Sequence, residues 1–144
     1  MFLTRKAEFS ASHVCRKADW TEEQNRQAFG SNANPNGHGH NYVVEVTLTG
    51  DPDPVTGMVF DLRELKEVLQ REVVGPMDHR FLNKEVPPFD RVVPTTENLA
   101  AEIWRRIAPH LNTDRAKLFN VRLFESGDLF VDYAGPNGSS GDGA

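Results

Sequence analysis

His38 and His40 stand one residue apart in the stretch "NPNGHGHNY". In an extended backbone alternate side chains leave the same face, so two imidazoles at this spacing point together. Gly37 and Gly39 carry no Cβ and would let the chain approach an ion closely. A third imidazole would complete a tri-histidine site with an open position, the arrangement of catalytic zinc, and His13 at the end of "FSASH" is the best candidate. A solvated loop pair and a hydrogen-bonded histidine at a strand end account for the same residues, and the local pattern leaves both readings open. His110 near a helix end is explained by the helix dipole.

Acid–base candidates lie further along. In "MDHRFLN" Asp78 directly precedes His79, and a carboxylate that orients an imidazole prepares it for proton transfer near neutral pH. Neighbours in a strand point apart, so this pair interacts only in a turn or helix start; a surface loop pair is the alternative. In "PTTEN" Glu97 follows Thr95 and Thr96. A first-turn acid gains about 0.3–1 kcal/mol from the helix macrodipole and needs no other role. Glu125 ends the apolar run "VRLFE", where a carboxylate can accept a paired hydrogen bond from an amidine-like edge such as that of a pterin or guanine, or simply be solvated.

The elements that must position these groups follow from periodicity. Residues 2–13 and 41–50 have strand patterns, the second dominated by β-branched residues with Val44, Val46 and Leu48 on one parity. Between them a long polar segment, 14–37, holds "TEEQNRQAF", enough for a helical turn or two. After the turn cluster "DPDPVTG", Leu62, Leu65, Leu69 and Val73 recur at helical spacing behind a capping Asp61. A second helix is expected over "TTENLAAEIWRRIAPHL", capped by Thr95 or Thr96, with Leu99, Ile103 and Ile107 as its buried stripe and an irregular last turn at Pro109. "KLFNVRLFES" and "DLFVDYA" form a hairpin. The order ββααββ predicts an α+β domain, an antiparallel four-stranded sheet packed on two helices. Its open edges favour oligomerisation.

At 144 residues the chain is the size of one domain, taken as 1–134, with a Gly/Ser-rich tail over 135–144 expected to be flexible. A net charge of −5 and the lack of a long basic run argue against nucleic acid as a partner. No apolar run reaches the roughly 18 residues of a membrane span, and the N-terminus lacks a secretory apolar core, so a cytoplasmic protein without membrane contact is expected. The lone Cys15 excludes an intramolecular disulfide.

Taken in order, "FSASH", "NPNGHGHNY", "MDHRFLN", "PTTEN" and "VRLFE" resemble the motifs of the 6-pyruvoyltetrahydropterin synthase family, which includes the 6-carboxytetrahydropterin synthases of queuosine biosynthesis. The resemblance implies the tunnelling fold (T-fold), whose subunits assemble into an oligomeric barrel, usually a hexamer built as a dimer of trimers. It implies Zn2+ on His13, His38 and His40. The pterin would be held through Glu125 with Thr95, Thr96 and Glu97 nearby, and Asp78 and His79 would form the proton-transfer pair. It further implies a lyase acting on 7,8-dihydroneopterin triphosphate, releasing triphosphate in the pyruvoyl branch, or acetaldehyde and triphosphate in the carboxy branch.

One position departs from that pattern. The family's catalytic cysteine stands six residues before the first His of HGH, where this chain has Asn32. An amide has no ionisation near neutral pH and does not replace a thiolate base. A relocated thiol at Cys15, proton transfer through Asp78 and His79 or through Glu22 or Glu23, and a paralogue that binds pterin without turning it over are the three competing expectations.

Overall fold

The computed structural model describes residues 1–137; the part of the expected tail over 138–144 lies outside the described residues. Two long strands, β1 (Phe2–His13) and β2 (His38–Gly50), run antiparallel in unbroken register from Phe2 opposite Thr49 to His13 opposite His38. β2 therefore starts three residues earlier than the β-branched run alone indicates, and both loop histidines belong to it. Between the two strands lies α1 (Glu22–Phe29), opened by a capping box in which Thr21 and Gln24 satisfy each other's backbone N–H groups.

After β2 comes α2 (Leu62–Leu69), capped by Asp61, which accepts from the N–H groups of Arg63 and Glu64. The helix continues through a wider π turn at Gln70–Val74 into a last short piece, α3 (Gly75–Met77). Leu65, Val68, Leu69 and Val73 face the sheet, whereas Leu62, expected in this stripe, is half-exposed on the first turn. A two-residue strand, β3 (Arg80–Phe81), and a single turn, α4 (Leu82–Glu85), follow. Thr95 then caps α5 (Thr96–Leu111), in which Leu99, Ile103, Ile107 and Leu111 are fully buried. Pro109 does not break this helix: it forfeits one backbone donor in the final turn, but the buried Leu111 keeps that turn seated. The hairpin of β4 (Ala116–Ser126) and β5 (Leu129–Tyr133) closes the fold.

The ββααββ order is present, with one addition to the expected four-stranded sheet. The strand order is β3-β1-β2-β4-β5, and β3 pairs with β1 in parallel. A strand of two residues leaves no periodicity from which it can be read. The helices cover one face of the sheet. Phe9, Tyr42, Val44, Val46, Leu48, Val121 and Leu123 pack against Leu65, Leu69, Leu99 and Ile103 there, each such side chain contributing about 1.5–3 kcal/mol by burial. The other face carries Thr4, Lys6, Glu8, Ser10 and Ser12 from β1, exposed or partly so.

Candidate active site

The last turns of β1 and the first of β2 bring three imidazoles together on the helix-facing side. His13 and His38 are direct cross-strand partners, and His40 sits opposite Ala11. Their ligand atoms all lie within 4.8 Å of one another, with His13 Nε2 at 3.1 Å from His38 Nε2. Gly37 and Gly39 act differently from the expectation that they admit an ion. A Cβ on either would lie 3.3 Å from a β1 carbonyl, that of His13 or of Ala11, and Gly37 has φ +77°. Their missing side chains let β2 lie against β1, and that contact sets the histidine register.

His13 is completely buried, and its Nδ1 lies 2.7 Å from the carbonyl of Pro94. A carbonyl only accepts, so Nδ1 carries the hydrogen and Nε2 presents its lone pair to the cluster. Burial lowers the pKa of His13, the Pro94 bond opposes this, and the neighbouring His38 and His40 lower it further. His40 is also lowered, by burial first, with Glu125 opposing. Both effects favour the neutral, ligating form. His40 Nε2 is buried with no hydrogen-bond partner among the described residues, which is expensive unless something else takes its lone pair. The donor set therefore fits a tetrahedral metal ion with one open position.

Glu125 reaches this cluster from β4. Its Oε1 is 3.2 Å from His40 Nε2 and 3.6 Å from His13 Nε2. Thr95 accepts from Asn98 N as the cap of α5, Thr96 is buried, and Glu97 is exposed in the first turn. Pro94, whose carbonyl orients His13, immediately precedes these residues, so one segment serves both a candidate metal ligand and the helix start.

Asp78 and His79 do interact, and the backbone explains how. His79 has φ +60°, a left-handed conformation uncommon for a residue with a Cβ, and this turns its ring back onto its neighbour. His79 Nδ1 and Asp78 Oδ2 are 2.9 Å apart. Asp78 Oδ1 accepts from Ser10 N at 2.8 Å, and His79 N donates to Ser10 O at 2.6 Å. The Ser10 N–H bond, then the His79 ring, hold the Asp78 carboxyl below its ordinary range. His79 Nε2 is left at the exposed end of the ring.

Cys15 is buried, with Sγ 4.0 Å from His13 Nδ1 and 4.0 Å from Pro94 O. It therefore lies on the side of the His13 ring away from Nε2, which faces the imidazole cluster. Burial, then Glu125 and Glu97, push the thiol up to about 11. Asn32 has an exposed side chain, and its carbonyl accepts from Cys15 N at 2.9 Å. Glu22 and Glu23 are paired with Arg16 and Arg26 on the outside of α1.

Nothing in the residue type or immediate pattern of Asn83 marks it as a site residue. Its side chain accepts from Val14 N at 2.8 Å and donates to Val14 O at 2.9 Å, extending the β1–β3 ladder past His13. Its place in "MDHRFLN", four residues after His79, was the only available signal.

Comparison with known proteins agrees with this geometry. Residues 2–136 match the family model described as 6-pyruvoyl tetrahydropterin synthase. The chain is 42% identical over 134 residues to the 6-pyruvoyl tetrahydrobiopterin synthase of Poecilia reticulata, covering 93% of this chain and 90% of that protein. A structure of Caenorhabditis elegans 6-pyruvoyl tetrahydropterin synthase superposes with a TM-score of 0.88 at 34% identity, over 94% of this chain and 95% of the other. A more distant relative is the dihydroneopterin monophosphate aldolase of Pyrococcus furiosus, 32% identical over 88% of this chain and 91% of its own length. The chain belongs to the 6-pyruvoyl tetrahydropterin synthase family, whose members are lyase-type enzymes of pterin metabolism.

Proposed function

We propose that this protein is a zinc-dependent lyase acting on 7,8-dihydroneopterin triphosphate, in the manner of the 6-pyruvoyl or 6-carboxytetrahydropterin synthases. The observation that carries the proposal is the convergence of His13, His38 and His40, with a buried Nε2 on His40 that has no hydrogen-bond partner among the described residues. Zinc on these three imidazoles would supply Lewis-acid chemistry, drawing electrons from substrate oxygens and acidifying the adjacent C–H groups.

The remaining roles fall to the chain's own side chains. Glu125 accepts the amidine-like edge of the pterin, and Thr95, Thr96 and Glu97 at the start of α5 complete its binding site. Asp78 fixes the tautomer of His79 by accepting from Nδ1, so His79 Nε2 is the nitrogen that takes and returns a proton. With Asn32 in place of a thiol, and Cys15 behind the His13 ring, this pair carries proton transfer. Among the described residues β1 has a strand partner on its outer side only at Ala11 and Ser12, an open edge that supports assembly into a homohexamer, a dimer of trimers. A single buried cysteine fits a cytoplasmic protein.

Asn32 supports a second reading, a paralogue that binds pterin without turnover. The deciding experiment is incubation of the zinc-loaded protein with 7,8-dihydroneopterin triphosphate and identification of products by mass spectrometry. A pyruvoyl or carboxy pterin, the latter placing the protein beside queuosine formation, names the branch. An aldol-cleaved pterin redirects the assignment toward aldolase chemistry. Unchanged substrate, with zinc and pterin bound, establishes the second reading.

A further inference from the structure

Leu65, Leu69, Val73 and Met77 follow one another at intervals of four residues, and all four are buried. An α-helix turns about 100° per residue, so each such step overshoots a full turn by about 40°. Three steps in a regular helix would carry Met77 about 120° away from the face on which Leu65 lies. The π turn at Gln70–Val74 removes that drift, because it holds one residue more than an α turn and so takes back about 100° of rotation. Burial of the whole stripe therefore depends on the wider turn.

Gly75 and Pro76 stand where the backbone ladder changes pitch. Gly75 N donates five residues back to Gln70 O, whereas Asp78 N donates four residues back to Val74 O at 2.8 Å. Pro76, between them, has no N–H, so the change falls where the ladder has no donor to lose. Gly75 itself has ordinary helical angles, φ −55° and ψ −50°, and its conformation does not call for glycine. The space does. A Cβ there would lie 2.9 Å from Gln70 O, the same carbonyl that closes the π turn.

The helix phase set by this turn reaches the acid–base pair within one residue. Met77 is seated in the core, and Asp78 follows it directly onto the outer edge of β1. There Asp78 Oδ1 accepts from Ser10 N and His79 N donates to Ser10 O, two bonds to a single residue. A rotation of about 100° at Met77 would break both. We infer that the π turn aims Asp78 and His79, with Gly75 as a positioning residue for proton transfer. The inference rests on the assignment of proton transfer to this pair in the pterin-lyase reading above, and adds what holds the pair in place.

Gly75→Ala is the test, because at helical angles this substitution ordinarily stabilises a helix, and here it crowds the π turn instead. One readout needs no turnover: hydrogen exchange at the Ser10 amide of zinc-loaded protein, whose acceptor is Asp78 and not a neighbouring strand. Gly75→Ala is expected to speed that exchange about tenfold or more, with zinc content and the binding of oxidised neopterin unchanged. With 7,8-dihydroneopterin triphosphate, kcat should fall about 10–100-fold and KM should stay close to its original value. Deleting the exposed Arg71 in the same variant turns the bond from residue 75 to Gln70 O into an ordinary four-residue one, and should restore both exchange and kcat. His79→Asn serves as the reference for the pair itself. If His79→Asn is impaired but Gly75→Ala leaves exchange or kcat unchanged, or the Arg71 deletion restores neither, the positioning inference is overturned and the proton-transfer reading stands. Loss of zinc or neopterin binding in Gly75→Ala reduces the residue to a structural role and overturns the inference as well. Full turnover by His79→Asn, or none by the unaltered protein, overturns the proton-transfer reading and this inference with it.

Discussion

The Glu125 carboxylate stands 3.2 Å from Nε2 of His40, yet that nitrogen has no hydrogen-bond partner among the described residues. The two groups are close but misaligned, as expected for a lone pair aimed into the ligand cluster. Their roles should separate by substitution. His40→Ala removes a ligand and should abolish stoichiometric zinc, measured by elemental analysis of the purified protein. Glu125→Gln keeps all three imidazoles and should retain zinc while weakening pterin binding about 10–100-fold, the equivalent of one charge-assisted hydrogen bond. Zinc loss in Glu125→Gln would make the carboxylate a metal ligand instead.

Cys15 and Asn32 are joined by one backbone hydrogen bond but should respond in opposite ways. Cys15 is buried behind His13, its thiol raised to about 11, so Cys15→Ala should leave the product distribution unaltered and cost about 1 kcal/mol of packing. Asn32→Cys places a thiol where the family carries its base and should raise formation of a pyruvoyl pterin. Product analysis by mass spectrometry reads both variants. Loss of all turnover in Cys15→Ala would restore the relocated thiol.

Asn83 grips both backbone groups of Val14, the residue after His13. Asn83→Ala leaves those groups unpaired and should cost about 1–3 kcal/mol in urea unfolding. Because β1 then loses its tether beside a ligand, zinc affinity should fall about tenfold, as for other groups that orient metal ligands. Chelator competition measures this second effect, and unchanged affinity would confine Asn83 to a stabilising role.

Glu102 is a buried carboxylate on α5 that is not among the candidate site residues. Burial raises its pKa, but the bonds from Arg105 and Arg106 outweigh this and hold it below the ordinary glutamate value. Arg106 also donates to Pro87 O at 2.7 Å, linking α5 to the segment that leads to Thr95. A depressed folded-state value means that the contribution is complete above the unfolded pKa and is lost as pH falls through the folded one. Glu102→Gln should therefore cost about 1.5–3 kcal/mol at pH 7, with the difference from the unaltered protein shrinking below about pH 4. Urea midpoints at pH 7 and pH 3.5 provide the check.

Local pattern alone determined a great deal. The period-2 runs placed β1, β2 and the β4–β5 hairpin. The helical spacing of Leu65, Leu69, Leu99, Ile103 and Ile107 placed the two helices that cover the sheet. The same periodicity put His38 and His40 on one face, because side-chain direction along a strand is a local property. What only the tertiary structure decided depends on which strand lies beside which, and in what register. His13 meets His38 because β1 and β2 pair without a shift, and Glu125 reaches His40 because β4 follows β2 past the irregularity at Thr47 and Leu48. The close approach permitted by Gly37 and Gly39, the bond from His79 N to Ser10 O, and the grip of Asn83 on Val14 all join residues distant in the chain. No local run of residues encodes such contacts; they arise when burial of the apolar face aligns the strands, and that alignment assembles the site.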